Sequence, residues 1–234
     1  MIDPIKSNAT LATYQSNGSS EPINQKLINQ LIMASFLGHL DDKGLDKLKS
    51  LEPQMPGLKD LVNQLQDPRY KPQEVLTKIT GAVTKAFIQS DPHMSDVQKE
   101  ILKTSIDLNL EKKHDETYPS LALWSENLVA HIALNVPGLI PDGNKKGLED
   151  LMNKIDQLDP SEKNYPSKVE KLDTEVAGYL ALHIPGALPP IAEAKLNVIM
   201  HQAPSEQDDK KFPAEVSVWS ARVHQIIEEA FFKN

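Results

Sequence analysis

The 234-residue sequence contains no cysteine, few aromatic residues (5%) and no long uninterrupted apolar run. The lack of cysteine excludes a disulfide framework, thiolate catalysis and zinc held by cysteine. Charged residues interrupt the apolar stretches well before the roughly 20 residues that a membrane-spanning helix needs, so no transmembrane segment is expected. The start of the chain also lacks a basic stretch followed by an apolar one, so it shows no conventional secretory signal.

Positive charge is also scarce. The chain has 25 Lys and Arg residues against 33 Asp and Glu residues, which gives a formal net charge of −8 and a pI near 5.4. No block of five or six basic residues occurs anywhere. Binding to nucleic acid or to an anionic membrane surface depends on such a basic patch, so the sequence predicts neither partner.

Residues 1–20 are rich in Ser, Asn, Thr and Gly and contain only scattered apolar residues. A segment of this composition cannot bury an element of its own, which predicts a disordered N-terminal segment. The remainder, residues 21–234, is predicted to form a single all-helical repeat domain. The first 20 residues are compatible both with a flexible terminus that has no task and with an unfolded export or docking signal.

A junction of an aromatic residue and a proline recurs along the chain. Four prolines are spaced at 47-residue intervals, namely Pro72, Pro119, Pro166 and Pro213. Proline ends the helix before it, and its fixed φ suits the first turn of the next helix. The aromatic residue directly precedes the last three prolines and is predicted to pack against the start of the new helix as a hydrophobic staple. Ser167 is predicted to cap the helix that follows Pro166.

The segments between these junctions have apolar residues at steps of three and four, which is typical of amphipathic helices. The first helix, from Ile23 to Leu37, is apolar almost all round and is expected deep in the core. In the second unit, Ser95 and Gln98 predict a capping box. The stripe of that helix predicted to face the core contains Val97, Ile101, Ser105 and Leu108. The sequence therefore predicts an all-α fold of tandem helical hairpins with a 47-residue period.

In period and hairpin pattern, about residues 22–232 resemble the HEAT and armadillo helical repeats. The resemblance includes no family-specific residue motif. It implies a short open solenoid or, because the units are so few, a compact helical bundle. In either arrangement neighbouring hairpins would share a hydrophobic core.

The sequence contains few motifs that are typical of catalysis or of metal and cofactor binding. The seven histidines form no HExxH or HxxxH pair, which leaves a metal site without local support. The segment 142–147 resembles the start of a calcium loop, but Asn153 stands where a bidentate glutamate is needed, so a helix start after Pro141 is the better interpretation. Neither a Gly-rich phosphate loop nor a GxSxG elbow occurs. We therefore expect no catalytic residue, bound metal or cofactor.

Five residues are candidates for binding a partner: Trp124, Val218, Trp219, Phe231 and Phe232. Each tryptophan falls on an apolar stripe, so a core position is the alternative to an anchor at the edge of a groove. Val218 and Phe232 lie off the inward stripe of the last helix, and Phe231 lies at its edge. This leaves more apolar surface than a solvated terminal helix needs, unless the two phenylalanines pack over an earlier unit.

These features favour a non-enzymatic interaction module that binds another protein or a second copy of itself. An all-helical enzyme with a site assembled only in three dimensions is the alternative, which a pocket with several perturbed carboxylates or histidines would support. The chain also resembles bacterial effectors of specialised secretion systems in composition, and its end, residues 228–234, resembles the tails of type IV secretion substrates. A cytosolic adaptor fits these features nearly as well, so both a cytoplasmic location and signal-peptide-independent export stay open.

Overall fold

The computed structural model describes residues 23–112, 120–206 and 210–232. Over these ranges the chain forms α-helices and one 3-10 turn, Glu52–Gln54, without any strand. The helices are α1 (Gln25–Leu37), α2 (Asp42–Leu51), α3 (Leu58–Gln66), α4 (Pro72–Ser90), α5 (Asp96–Glu111), α6 (Leu121–Asn135), α7 (Asp142–Asp156), α8 (Tyr165–His183), α9 (Pro190–Met200) and α10 (Phe212–Phe232). The prediction of an all-α fold is confirmed. The predicted disordered segment, residues 1–20, lies outside the described residues.

Four long helices form a row in which each contacts the next, in the order α4, α6, α8 and α10. Helices α5, α7 and α9 form an outer layer, and each packs against the two row helices that flank it in sequence. Helix α1 contacts all four helices of the row. The chain's first and last described helices therefore meet. This arrangement is compatible with a bundle or a short solenoid, and the 47-residue period stays a prediction.

Helix α1 is the centre of the core, as its sequence predicts. It begins after Asn24, whose side-chain oxygen accepts a hydrogen bond from the Leu27 amide at 2.9 Å, and it ends at Gly38 in the left-handed conformation (φ 64°). Nine of its 13 residues are buried. Because the row helices pack around α1, its apolar residues are buried on almost every side. An ordinary surface helix would instead need a polar face towards solvent. Among the described residues, no helix has both the length and the hydrophobicity to span a bilayer.

Buried hydroxyl groups join neighbouring helices of the core. Each contact pairs a serine with a threonine on the adjacent helix: Ser35 with Thr80 (2.9 Å), Thr77 with Ser125 (2.7 Å) and Thr174 with Ser220 (2.8 Å). A buried hydroxyl without a partner is costly, so these pairs favour one register between the helices they join. The contact between α6 and α8 contains a pair of carboxyl groups, which is described below.

The helix starts agree in part with the predicted junctions. Pro166 and Pro213 both lie in the first turn of their helices, and the capping box of Ser95 and Gln98 is confirmed. The prediction that Ser167 caps α8 is wrong, because the helix already begins at Tyr165, with Asn164 at the capping position. A proline in the first turn gives up no helical hydrogen bond, so the helix can start before it.

The prediction for the buried side of α5 is also wrong. Val97, Ile101 and Leu108 are exposed, whereas Ile106 is buried and Leu102 and Leu110 pack partly buried against the core. Both sides of the helix have apolar residues at helical spacing, so periodicity alone does not distinguish them. The packing of α5 between α4 and α6 selects the side around Ile106 and leaves the other side in solvent.

Candidate partner-binding surfaces

The two tryptophans are buried and have matching structural roles. Trp124 on α6 is 3% exposed, and its indole N–H donates to the carbonyl of Asn109 at 3.2 Å. Trp219 on α10 is 4% exposed, and its indole N–H donates to the carbonyl of Ile199 at 2.8 Å. Each bond therefore runs from a row helix to the last turn of the outer helix before it. The tryptophans hold α5 and α9 in place, and little of either ring is available to a partner.

Val218 lies beside Trp219 at a shallow depression on the outer side of α10. Val218 is 54% exposed. The depression has a volume of about 410 Å³ and lies between the start of α10 and the segment that follows α9. Its remaining lining residues are Gln202, Pro204, Ala214, Glu215 and Arg222. The site combines a small apolar surface with one acidic and one basic side chain.

Phe231 and Phe232 are half-buried at the other end of α10. The Phe232 ring meets the ring of His39 edge-on, with centroids 5.7 Å apart, and Phe231 packs against the core. His39 follows the end of α1, so the last turn of α10 packs over the first unit of the chain. The five residues predicted to bind a partner thus lie at three separate places: Trp124 on α6, Val218 with Trp219 near the start of α10, and Phe231 with Phe232 at its end.

Phe232→Asp should lower the stability of the protein by about 1 kcal/mol, because it replaces a half-buried ring with a charge next to His39. Val218→Asp is the matched control on the same helix and should change stability by less than about 0.5 kcal/mol, since Val218 is mostly in solvent. Urea denaturation followed by circular dichroism measures both. Unchanged stability of Phe232→Asp, together with lost self-association, would instead assign Phe232 to a contact surface.

The largest exposed apolar stripe that the structure describes on one helix lies on α5. The α5 outer face consists of Val97, Ile101 and Leu108, which are 68%, 62% and 56% exposed. At 3.6 residues per turn these positions fall within about 40° of one another around the helix axis. Only one residue of this helix, Ile106, is fully buried. Three large aliphatic side chains thus point in one direction into solvent.

A row of acidic residues runs along one edge of the α5 outer face. This acidic row consists of Asp96, Glu100, Asp107 and Glu111. The first three each immediately precede one of the apolar residues, so the helical rotation places them together on the same flank. Lys103 pairs with Glu100 at 2.5 Å, and Lys85 pairs with Asp107. Each pair offsets part of the charge of one carboxylate, whereas Asp96 and Glu111, at the two ends of the row, pair with no lysine of the described residues.

The sequence of α5 contains the acidic row next to the apolar residues of the outer face. The repeated order of an acidic residue followed by an apolar residue occurs at Asp96-Val97, Glu100-Ile101 and Asp107-Leu108. Asp107 also follows Ile106 directly, and Glu111 follows Leu110, so the acidic row lies beside the second apolar stripe as well. The sequence pattern therefore does not show which of the two stripes is buried.

The contact between α6 and α8 contains two enclosed carboxyl groups, Glu126 and Asp173, which no sequence motif indicated. Glu126 has no exposed surface, and Asp173 is half-buried as a whole residue. Both oxygens of Glu126 and Oδ1 of Asp173 receive no hydrogen bond from an N–H or hydroxyl group of the described residues. Two such groups can bond to each other only when one of them holds a proton.

Their environment makes protonation favourable. Burial, and then the charge of Asp173, raise the pKa of Glu126 well above its usual range. Burial, and then the charge of Glu170, raise the pKa of Asp173 to about 7, whereas a hydrogen bond with Glu126 acts in the opposite direction. With the proton on Glu126, that carboxyl can donate to Asp173. Neither residue lines any of four surface depressions of the described residues, which lie on α5, α10 and around the ends of α7 and α8.

The described residues contain no cluster of three or more His, Asp or Glu side chains that could hold a metal ion. The segment that resembles the start of a calcium loop forms the first turns of α7. Its Asp142 is the first helical residue and pairs with Lys145 at 2.8 Å, so the interpretation as a helix start after Pro141 is confirmed.

Comparison of the chain with protein-family models, with curated proteins and with solved structures found no significant match to any of them.

Proposed function

We propose that this protein is a non-enzymatic interaction module and that it binds a partner protein through the α5 outer face. The observation that carries the proposal is the exposure of Val97, Ile101 and Leu108 along one line of a helix that is itself well ordered. Large apolar side chains in one contiguous exposed stripe are typical of interaction sites. A partner helix placed along the stripe would remove all three from water together.

The α5 outer face lies on a helix that is held firmly. The capping box of Ser95 and Gln98 fixes its first turn, and the Trp124 indole binds the carbonyl of Asn109 in its last turn. Ile106 anchors its middle in the core. A rigid helix loses little conformational entropy on binding, which favours affinity for a given contact area.

An enzyme remains the second candidate because Glu126 and Asp173 have perturbed pKa values, which is typical of catalytic carboxylates. Glu126, however, has no exposed surface, and the pair lines none of the described depressions. A substrate would need an opening between α6 and α8 to reach it. The interaction module needs no such rearrangement. Export as a bacterial effector and a role as a cytosolic adaptor stay as predictions within this proposal.

A photo-crosslinking amino acid at position 101 should yield a discrete protein adduct in the cells that produce this chain, because that position lies at the centre of the α5 outer face. The same amino acid at Glu149, an exposed position on α7, is the matched control and should yield none. Adding Val97→Asp should abolish the adduct while leaving the melting temperature unchanged, since Val97 is 68% exposed. Equal adducts from positions 101 and 149, or none from 101, would contradict the proposal.

A further inference from the structure

Resting on the proposed function, we infer that the α5 outer face binds an amphipathic helix that has basic residues beside its apolar stripe. The inference comes from the juxtaposition of Val97, Ile101 and Leu108 with the acidic row along one flank. The apolar stripe determines that the partner presents aliphatic or aromatic side chains. The acidic row determines which charge lies next to them.

The length of the surface fits a short helix. From Val97 to Leu108 the stripe extends about 16 Å at 1.5 Å per residue, which corresponds to three turns of a partner helix. A partner with apolar residues at i, i+4 and i+11, or at the related helical spacings, would cover it. Such a contact area is small, so the complex is expected to be transient rather than obligate.

The charge pattern favours a basic partner. Asp96 and Glu111 form no ion pair with another described residue, and the side chain of Glu100 is 70% exposed even though Lys103 contacts it. Lys or Arg residues spaced along a partner helix would meet the accessible carboxylates of Asp96, Glu100 and Glu111 one by one. The chain's net charge of −8 adds a long-range attraction that speeds the encounter with a basic segment.

A second copy of this chain in an antiparallel arrangement fits the surface less well. If two α5 helices packed antiparallel through their apolar stripes, the same flank of each would face the other, so acidic row would lie against acidic row. Like charges in this position are destabilising. An anionic lipid surface is disfavoured for the same reason, because the carboxylates would be brought against negative headgroups.

Synthetic peptides test the inference. Two helical peptides of about 18 residues have the same leucine stripe, and one has lysine and the other glutamate at the flanking positions. Fluorescence anisotropy with the intact protein measures the affinity of each. The lysine peptide should bind at least about tenfold more tightly than the glutamate peptide, and raising salt from about 50 to about 500 mM should weaken its binding.

Variants locate the binding and supply the matched control. Asp96→Lys combined with Glu100→Lys should weaken binding of the lysine peptide by about tenfold, because two attractions become repulsions. Glu149→Lys combined with Asp150→Lys on α7 changes the net charge equally and should alter the affinity less than about twofold, since both residues lie away from the face. Ile101→Ser should weaken binding of the lysine peptide as well, whereas general attraction to an acidic protein would not depend on Ile101.

The outcomes separate this inference from the proposed function. If both peptides bind equally and both depend on Ile101, the face binds helices without a charge preference, so the inference fails and the proposed function stands. If the two double-charge variants weaken binding equally, only net charge matters and the inference fails. Two further results would overturn it: dimerisation of the protein alone that Ile101→Ser abolishes, or Ile101-dependent binding to vesicles of phosphatidylserine and phosphatidylcholine.

Discussion

Raising the pH from about 5 to about 8 should lower the free energy of unfolding of this protein, and Asp173→Asn should remove the part of that loss that comes from Asp173. The expected loss is on the order of 2 to 4 kcal/mol, because burial raises the pKa of Asp173 from 3.8 to about 7 and each pH unit corresponds to about 1.4 kcal/mol. Urea denaturation of both proteins at a series of pH values measures the effect.

The sign follows from which state holds the proton. Between the unfolded pKa of Asp173, near 4, and its folded pKa of about 7, the unfolded chain has lost the proton and the folded chain keeps it. The stabilising contribution of Asp173 is therefore complete below pH 4, and it is lost as the pH rises through the folded pKa of about 7. Glu126 also has a raised pKa, with burial as the main cause, so it adds a loss of its own above its usual range that Asp173→Asn should largely keep.

Two histidines act in the opposite direction. Burial lowers the pKa of His131 and of His224, so each adds stability as the pH rises towards the usual histidine range. Both are present in the wild type and in Asp173→Asn, so the difference between the two proteins isolates the contribution of Asp173. Glu149→Gln, which removes an exposed carboxylate of α7, should keep the wild-type dependence. If Asp173→Asn keeps it too, the carboxyls are not held as a protonated pair.

Leu31→Ala should destabilise the protein by about 2 to 5 kcal/mol, whereas Leu108→Ala should change its stability by less than about 0.5 kcal/mol. Leu31 is 0% exposed in the middle of α1, and its loss leaves a cavity between α1 and the row helices. Leu108 is 56% exposed on the α5 outer face. Both substitutions replace leucine with alanine within a helix, so the difference in helix propensity is the same in the two variants.

The midpoint of urea denaturation, with an unchanged m-value, measures both changes. An equal loss of stability in the two variants would show that the Leu108 side chain belongs to the core. The α5 outer face would then be part of the folded interior, and the proposed docking surface would be lost with it.

The sequence is sufficient to predict those features that a single local pattern determines. The apolar residues of α1 surround the helix almost completely, so only a buried position suits them, and the structure places it there. The capping box at Ser95 and the helix start at Asp142 depend on local backbone chemistry, which a short window of sequence contains. These features were predicted correctly because they need no knowledge of distant residues.

The sequence is not sufficient to predict features for which the packing of another helix determines which residues are buried or paired. α5 has two apolar sides, and only its packing between α4 and α6 selects the one around Ile106. Glu126 and Asp173 are 47 positions apart and belong to different helices, so no local pattern shows that they meet. The sequence allows both a packed and a partner-binding Phe232, because the position of His39 next to it depends on how the chain closes on itself.

The central position of α1 also affects the order of events during synthesis. α1 occupies residues 25–37, but α10, which completes its surroundings, occupies residues 212–232. Contacts between such distant segments form late, because a long loop must close first. While the chain grows from its N-terminus, one of its most apolar helices therefore waits for the last helix to be made. A nascent chain that stops before α10 keeps part of α1 in water, which makes it a substrate for aggregation or for chaperones.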